Sequence, residues 1–270
     1  MIEIPYAELH AFPDGDRPHT GNPAGVALLN EPMSDADRLG VAQSNNLSET
    51  AFLESLETDL WRLRWFTPGS EVDLCGHATL AAAVWLFETG RVDGETAGFE
   101  TRSGRLSVQR RHDGLYRMDF PEVGWRGVDR DPAVCTAMGG EPLEAFDLDR
   151  VHGSRYHMLV YADEAAIAGL APDLGALAAL QTNVVATAPG RSADIVSRFF
   201  APGVGVAEDP VTGSAHCTLA PFWVQRLGRE TLTARQIGPR PGALGVCAPG
   251  EGRVELVGSA ARYLDGVIRI

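Results

Sequence analysis

Arg64-Trp65-Phe66-Thr67-Pro68-Gly69 and Arg198-Phe199-Phe200-Ala201-Pro202-Gly203 are two versions of one phrase, set 134 residues apart (64 to 198). Each is followed by a short polar connection and then by a glycine-led apolar stretch. These are Gly76-His77-Ala78-Thr79-Leu80-Ala81-Ala82 and Gly213-Ser214-Ala215-His216-Cys217-Thr218-Leu219-Ala220, offset by 137 (76 to 213). Upstream, Gln43-Ser44-Asn45 faces Gln181-Thr182-Asn183 at an offset of 138 (43 to 181). Strand-to-helix connections are common, so one such match would be coincidence. Three in the same order, at nearly constant offset in a chain of 270 residues, read as an internal duplication.

Working outward from the phrase, each half resolves into strands and one buried helix. Alternating or β-branched runs predict strands near 2–11, 24–30, 50–54 and 60–67. Ser34 with Asp35 and Asp37 predicts the N-cap of a helix over 35–44. Residues 77–89 form a helix with almost no polar face, which must be buried on nearly all sides. Strands near 96–101, 104–111 and 115–120 complete the half, and Pro121 ends the run. The second half repeats the logic with strands near 156–162, 183–188 and 194–201 and a buried helix at 214–227. Strand-rich segments split by Pro239, Pro241 and Pro249 follow. The expected fold is α+β: two similar halves, each a curled sheet around a central helix, related by a pseudo-twofold axis. The halves are 1–120, completed by a C-terminal strand at about 260–270, and 121–259.

Composition removes several functions. The net charge is −13, and all 23 basic residues are arginine. Without lysine there is no Schiff base to pyridoxal phosphate or to a carbonyl substrate, and no P-loop. The acidic balance argues against nucleic acid, and Arg102, Arg105, Arg110 and Arg111 read as a solvated strand face. No run of about 18 apolar residues predicts a membrane span. The N-terminus, with acid at Glu3 and Glu8, does not read as a signal peptide. Four cysteines, Cys75, Cys135, Cys217 and Cys247, form no CxxC pair, which fits a reduced cytoplasmic protein. His152 and His157 are badly spaced for a metal and read as surface histidines, so no metal site is expected.

The chemistry is expected at the two helix starts. Gly76 and Gly213 allow close backbone approach, and first-turn amides favour an anion. Related by a pseudo-twofold axis, the two starts can face one another across a cleft and hold a small carboxylate. The same glycines serve equally well for packing a helix against a sheet, and spacing alone does not choose. Glu49, just before an apolar strand, is placed to be a desolvated carboxylate with the raised pKa of a general acid/base. A solvated strand edge is the bland alternative. The matching place in the second half, around Ala186-Thr187, has no acid. Glu208-Asp209-Pro210 brings a second carboxylate near the second helix start, although Asp-Pro is also an ordinary turn signal. His77 offers a donor that titrates near neutrality, or a helix-start residue satisfied locally.

Four stretches together resemble the phenazine-biosynthesis PhzF-like family of the diaminopimelate-epimerase-like superfamily. They are Gly21-Asn22-Pro23-Ala24-Gly25-Val26, Asn46-Leu47-Ser48-Glu49-Thr50-Ala51-Phe52, Phe66 through Thr79, and Glu208-Asp209-Pro210-Val211-Thr212-Gly213-Ser214-Ala215. The resemblance implies a cofactor-independent isomerase of a small carboxylate-bearing metabolite, homodimeric, with the site between the halves. It implies Glu49 as the acid/base, and His77, Asp209 and Ser214 with the amides of Gly76 and Gly213 as substrate-binding groups. Epimerases and racemases of the superfamily use two opposed cysteines; Cys75 matches the first position and Thr212 stands at the second. Threonine supplies no thiolate, which favours one-base chemistry through Glu49. The alternatives are a cysteine-dependent epimerase using Cys75, and a non-catalytic small-molecule-binding protein on the same fold.

Overall fold

The computed structural model describes residues 2–149 and 155–270. The chain divides into two compact units, Met1–Phe120 with Glu255–Ile270, and Pro121–Val254.

In the first unit, β1 (Glu3–Ala11) lies antiparallel to β2 (Asn22–Leu29) and to the C-terminal strand Ala260–Arg269. Helix α1 (Asp35–Asn45) then carries the chain to β3 (Glu49–Glu57), parallel to β2. As expected, Ser34 caps α1 by accepting from the Asp37 amide. Strand β4 (Leu60–Phe66) is antiparallel to β3, and β5 (Glu71–Val72) turns back on β4. Helix α2 (Gly76–Glu88) follows, leading to β6 (Thr96–Thr101), which runs parallel to β4. Hairpin strands β7 (Gly104–Arg110) and β8 (Tyr116–Pro121) complete the unit. Every residue of α2 from Gly76 to Phe87 is buried. The helix touches β1, β2, β3, β6, β7 and the C-terminal strand, so the sheet wraps around it. Alanine and leucine supply helix propensity there, while Trp85, Leu86 and Phe87 supply apolar area to the core.

The second unit repeats this order. Strand β9 (Trp125–Val128) leads to α3 (Pro132–Met138), then β10 (Glu144–Leu148) and β11 (Arg155–Val160). Two short helices, α4 (Glu164–Ala168) and α5 (Leu174–Ala179), stand where the first unit has α1. Strand β12 (Thr182–Pro189) is parallel to β11, and β13 (Ile195–Ala201) is antiparallel to β12. Strand β14 (Val206–Asp209) turns back on β13, and α6 (Gly213–Leu227) leads to β15 (Thr231–Gln236), parallel to β13. Strand β16 (Gly242–Gly250) pairs antiparallel with β15, and β17 (Arg253–Gly258) returns the chain to the first unit. The parallel and antiparallel sequence of β2-β3-β4-β6-β7 is thus that of β11-β12-β13-β15-β16.

Several expectations need correction. Thr50 pairs with Phe66 and Val184 with Phe200, so the structural offset is 134 (50 to 184). Gln43-Ser44-Asn45 ends α1, whereas Thr182 and Asn183 open β12, so the third sequence match is not a structural one. By the same register the counterpart of Glu49 is Asn183, not Ala186-Thr187. Pro249 lies inside β16, beyond the stretch paired with β15, where its missing N–H costs that ladder nothing. The first unit resumes at Glu255 rather than about 260, and Arg117 of β8 already pairs with Glu255 at 2.9 Å. His157 is buried rather than on the surface: it sits opposite Asp147 in the β10–β11 register, Nδ1 to Oδ1 2.9 Å. Burial, helped by Arg155, keeps its pKa below the usual histidine value. His152 lies outside the described residues.

Candidate active site

Glu49 is the first residue of β3 and His77 the second of α2, so the strand edge and the helix start meet at these two side chains. His77 Nε2 lies 3.1 Å from Glu49 Oε2. Both atoms are buried, and the oxygen sits off the N–H direction, so the contact is an ion pair without an in-line hydrogen bond. Close pairs without in-line alignment are common in sites that tighten around substrate.

The other ring nitrogen is held from behind. The fully buried Asn22, on β2, donates from Nδ2 to His77 Nδ1 at 3.2 Å, and its Oδ1 accepts from Ser48 Oγ at 3.5 Å. This leaves the proton of the neutral imidazole on Nε2, facing Glu49. A second proton on Nδ1 requires the Asn22 amide to turn and present Oδ1, and the Ser48 hydroxyl can serve either orientation. Burial opposes the imidazolium, but the Cys75 sulfur beside Nδ1 and the Glu49 carboxylate beside Nε2 favour it more strongly, and the His77 pKa stands above the ordinary histidine value. Burial pushes the Cys75 thiol up to about 11, with added repulsion from Glu49, so the sulfur is a protonated thiol at neutral pH.

Cys75 precedes α2 as its N-cap residue but makes no side-chain cap. Its Sγ lies 3.5 Å from His77 Nδ1, and its carbonyl accepts from Thr79 Oγ1 at 2.5 Å. Glu49, Cys75 and His77 each offer one ligand atom within 4.8 Å of the others, the one such group among the described residues. The imidazole nevertheless meets the thiol through Nδ1 and the carboxylate through Nε2, and the thiol is protonated at neutral pH. That donor set suits proton handling better than a cation.

In the second unit, Thr212 is the N-cap residue of α6, the place Cys75 holds on α2. Its hydroxyl donates to Asp209 Oδ2, and its amide donates to Gln236 Oε1 at 2.9 Å. Gln236 Nε2 donates in turn to the Asp209 carbonyl. Asp209 is therefore tied to the start of α6, beside Gly213 and Ser214, which open that helix. His216, fully buried, donates from Nδ1 to the Thr212 carbonyl at 2.8 Å, just as Thr79 bonds to Cys75 in the first unit. Of the expected site residues, Glu49, His77 and Gly76 come together in the first unit, and Asp209, Gly213 and Ser214 in the second. Asn22 and Gln236 were not expected at the site: nothing in the spacing of Gly21-Asn22-Pro23 points to His77, and nothing local to Gln236 points to Asp209.

The model of the phenazine biosynthesis-like protein family, PhzC-PhzF, matches residues 9–266. An uncharacterized isomerase of Pseudomonas aeruginosa is 44% identical over 270 residues, covering 100% of both chains. The crystal structure of a PhzF-family protein from Enterococcus faecalis superposes with a TM-score of 0.90 at 39% identity, again over 100% of both chains. A probable proline racemase from Agrobacterium radiobacter shares the fold at 13% identity and a TM-score of 0.63, over 99% of this chain and 92% of that one.

Proposed function

This chain belongs to the phenazine biosynthesis-like protein family and is an isomerase, and from that premise we propose that Glu49 carries its proton transfer, without a cofactor, on a small carboxylate-bearing metabolite. The observation that supports this reading is the buried contact of Glu49 Oε2 with His77 Nε2 at 3.1 Å, neither atom having an in-line partner. The Glu49 carboxylate removes a proton from a substrate carbon and returns it to another position. His77, its Nε2–H directed at the same place, donates to the charge that develops on substrate. The first-turn amides of α2, Gly76 among them, favour the carboxylate, and Asp209, Gly213 and Ser214 are the substrate-binding candidates at the corresponding helix start of the second unit.

Burial speaks against the cysteine-dependent alternative. A thiol near pKa 11 is about one part in 10⁴ thiolate at pH 7, and Thr212 at the second position engages its hydroxyl with Asp209. We also propose that the protein acts as a homodimer. Among the described residues no helix is long and apolar enough to cross a membrane.

The test is deuterium uptake from D₂O into a panel of small carboxylates, read by mass spectrometry. The wild type and Cys75→Ala are expected to label the same compound, and Glu49→Gln to label none. Labelling by Glu49→Gln at the wild-type rate would remove Glu49 from the chemistry. Failure of Cys75→Ala alone would move the reaction to the cysteine, and binding without labelling by the wild type would mark a binding protein.

A further inference from the structure

The phrase that reveals the duplication contains an arginine for which the reaction has no use. Arg64 donates to Glu71 through both arms of its fork, Nε to Oε1 at 2.7 Å and Nη2 to Oε2 at 2.6 Å. Arg198 grips Glu208 in the same way, at 2.7 and 2.9 Å. Each guanidinium lies over the phenylalanine two residues on, Phe66 at 5.2 Å and Phe200 at 4.8 Å. Both pairs are largely buried, with side-chain exposures of 18% and 10% in the first unit and 10% and 17% in the second.

The connections between arginine and glutamate differ in the two units. The first is a tight turn in which Thr67 bonds to Ser70, the second a longer path through the 3-10 turn Pro202–Val204. What does not differ is the step from the fork to the helix. Glu71 lies five residues before Gly76, and Glu208 lies five residues before Gly213. The first approach is tied down further, by Arg102 Nη2 on Glu71 Oε2 at 2.7 Å and by Ser103 Oγ donating to the Asp73 carbonyl at 2.6 Å. In the second, Arg198 is itself anchored through Nη1 to the Leu170 carbonyl at 2.7 Å. An ion pair kept only for stability has no reason to hold a fixed distance from a helix start while the loop beside it changes.

We propose that Arg64–Glu71 and Arg198–Glu208 are duplicated positioning clamps, each setting the backbone of the helix start that presents His77 or Ser214. The planar fork fixes the glutamate in orientation as well as distance, which a point charge does not. The proposal rests on the assignment of His77 and Ser214 to the site, but its test needs no turnover, so either reading can fail without the other.

The experiment uses the full chain and compares Glu71→Gln, Glu208→Gln and Arg64→Lys with wild type by amide NMR, well below the melting temperature of each. Glu71→Gln is expected to move the amide resonances of Gly76 and His77 and the His77 ring nitrogens, leaving Gly213 and Ser214 in place. Glu208→Gln is expected to do the reverse. Arg64→Lys keeps the charge and loses the fork, so it should move the same resonances as Glu71→Gln, and it carries the comparison if that variant does not fold. Lowered melting temperatures with both helix starts unmoved would overturn the proposal, leaving the pairs as stability elements.

Discussion

Replacing Glu49 by glutamine keeps the shape of the side chain and deletes one charge 3.1 Å from His77. At an effective dielectric of about 20, two unit charges at that distance attract by about 5 kcal/mol. Desolvation of the two groups takes back several kcal/mol, leaving a net of about 2 kcal/mol in favour of the ionised pair. For a chain of this size that is a shift in melting temperature of about 4–8 °C. The sign of the pH dependence follows from His77, whose pKa is raised on folding against the opposition of burial. Stability from such a group is fully present below the unfolded histidine pKa of about 6.5 and is lost as pH rises through the folded value. The gap between wild type and Glu49→Gln should therefore be widest near pH 6 and close at alkaline pH, where a neutral imidazole can donate to the glutamine carbonyl. Calorimetry from pH 5.5 to 9.5 gives the gap, and the ring-nitrogen shifts of His77 give the titration directly. A gap that stays constant across that range would refute the assignment of Glu49 as the anion that holds the proton on His77.

Two further outcomes follow from buried titrating groups. At pH 8, ionisation alone should slow alkylation of Cys75 about 200-fold relative to a free cysteine, since its thiol is pushed up to about 11; peptide mass spectrometry after iodoacetamide reads this, and labelling of Cys75 as fast as the half-buried Cys247 would contradict it. Burial pulls His216 down to about 4, so its folded state refuses a proton that the unfolded chain accepts, and stability should fall by up to about 3 kcal/mol as pH drops from 6.5 to 4. His216→Thr, which can repeat the bond that Thr79 makes to Cys75, should lower stability at pH 8 by leaving a cavity and yet flatten the acid limb of the denaturation profile; an unchanged acid limb would clear His216 of that role.

The long elements were legible because their patterns are local. The apolar run that became α2, the Ser34 cap and the strands of the first unit each declare themselves within about ten residues. The short helices between β8 and β12 did not. Helices α3, α4 and α5 are seven, five and six residues long, too short for a 3.6-residue period to register. Each is opened by an aspartate cap, at Asp131, Asp163 and Asp173, a local signal that persists in elements this short. Contacts across the fold left no trace in spacing. Asn22 and His77 are 55 residues apart, and the exposure of His157 could not be judged without knowing that Asp147 would face it.

The two units also explain why duplication made the fold easier to read than the chemistry. Where the units agree, the residues are frame: the arginine fork, the phenylalanine beneath it, the glycine that opens the helix, and a side chain bonding back to the N-cap carbonyl. Where they differ, the first unit has a titratable side chain and the second a neutral one: Glu49 against Asn183, Cys75 against Thr212, His77 against Ser214. Asn183 shows what the exchange did, since its Oδ1 accepts from the Gly203 amide at 3.0 Å, a bond that braces a turn. A repeat search is sensitive to the frame and blind to these substitutions, because it scores likeness. The asymmetry between the units emerges only when the strand registers are used to align the residues, and that alignment sets Glu49 against Asn183, an amide that cannot act as a base.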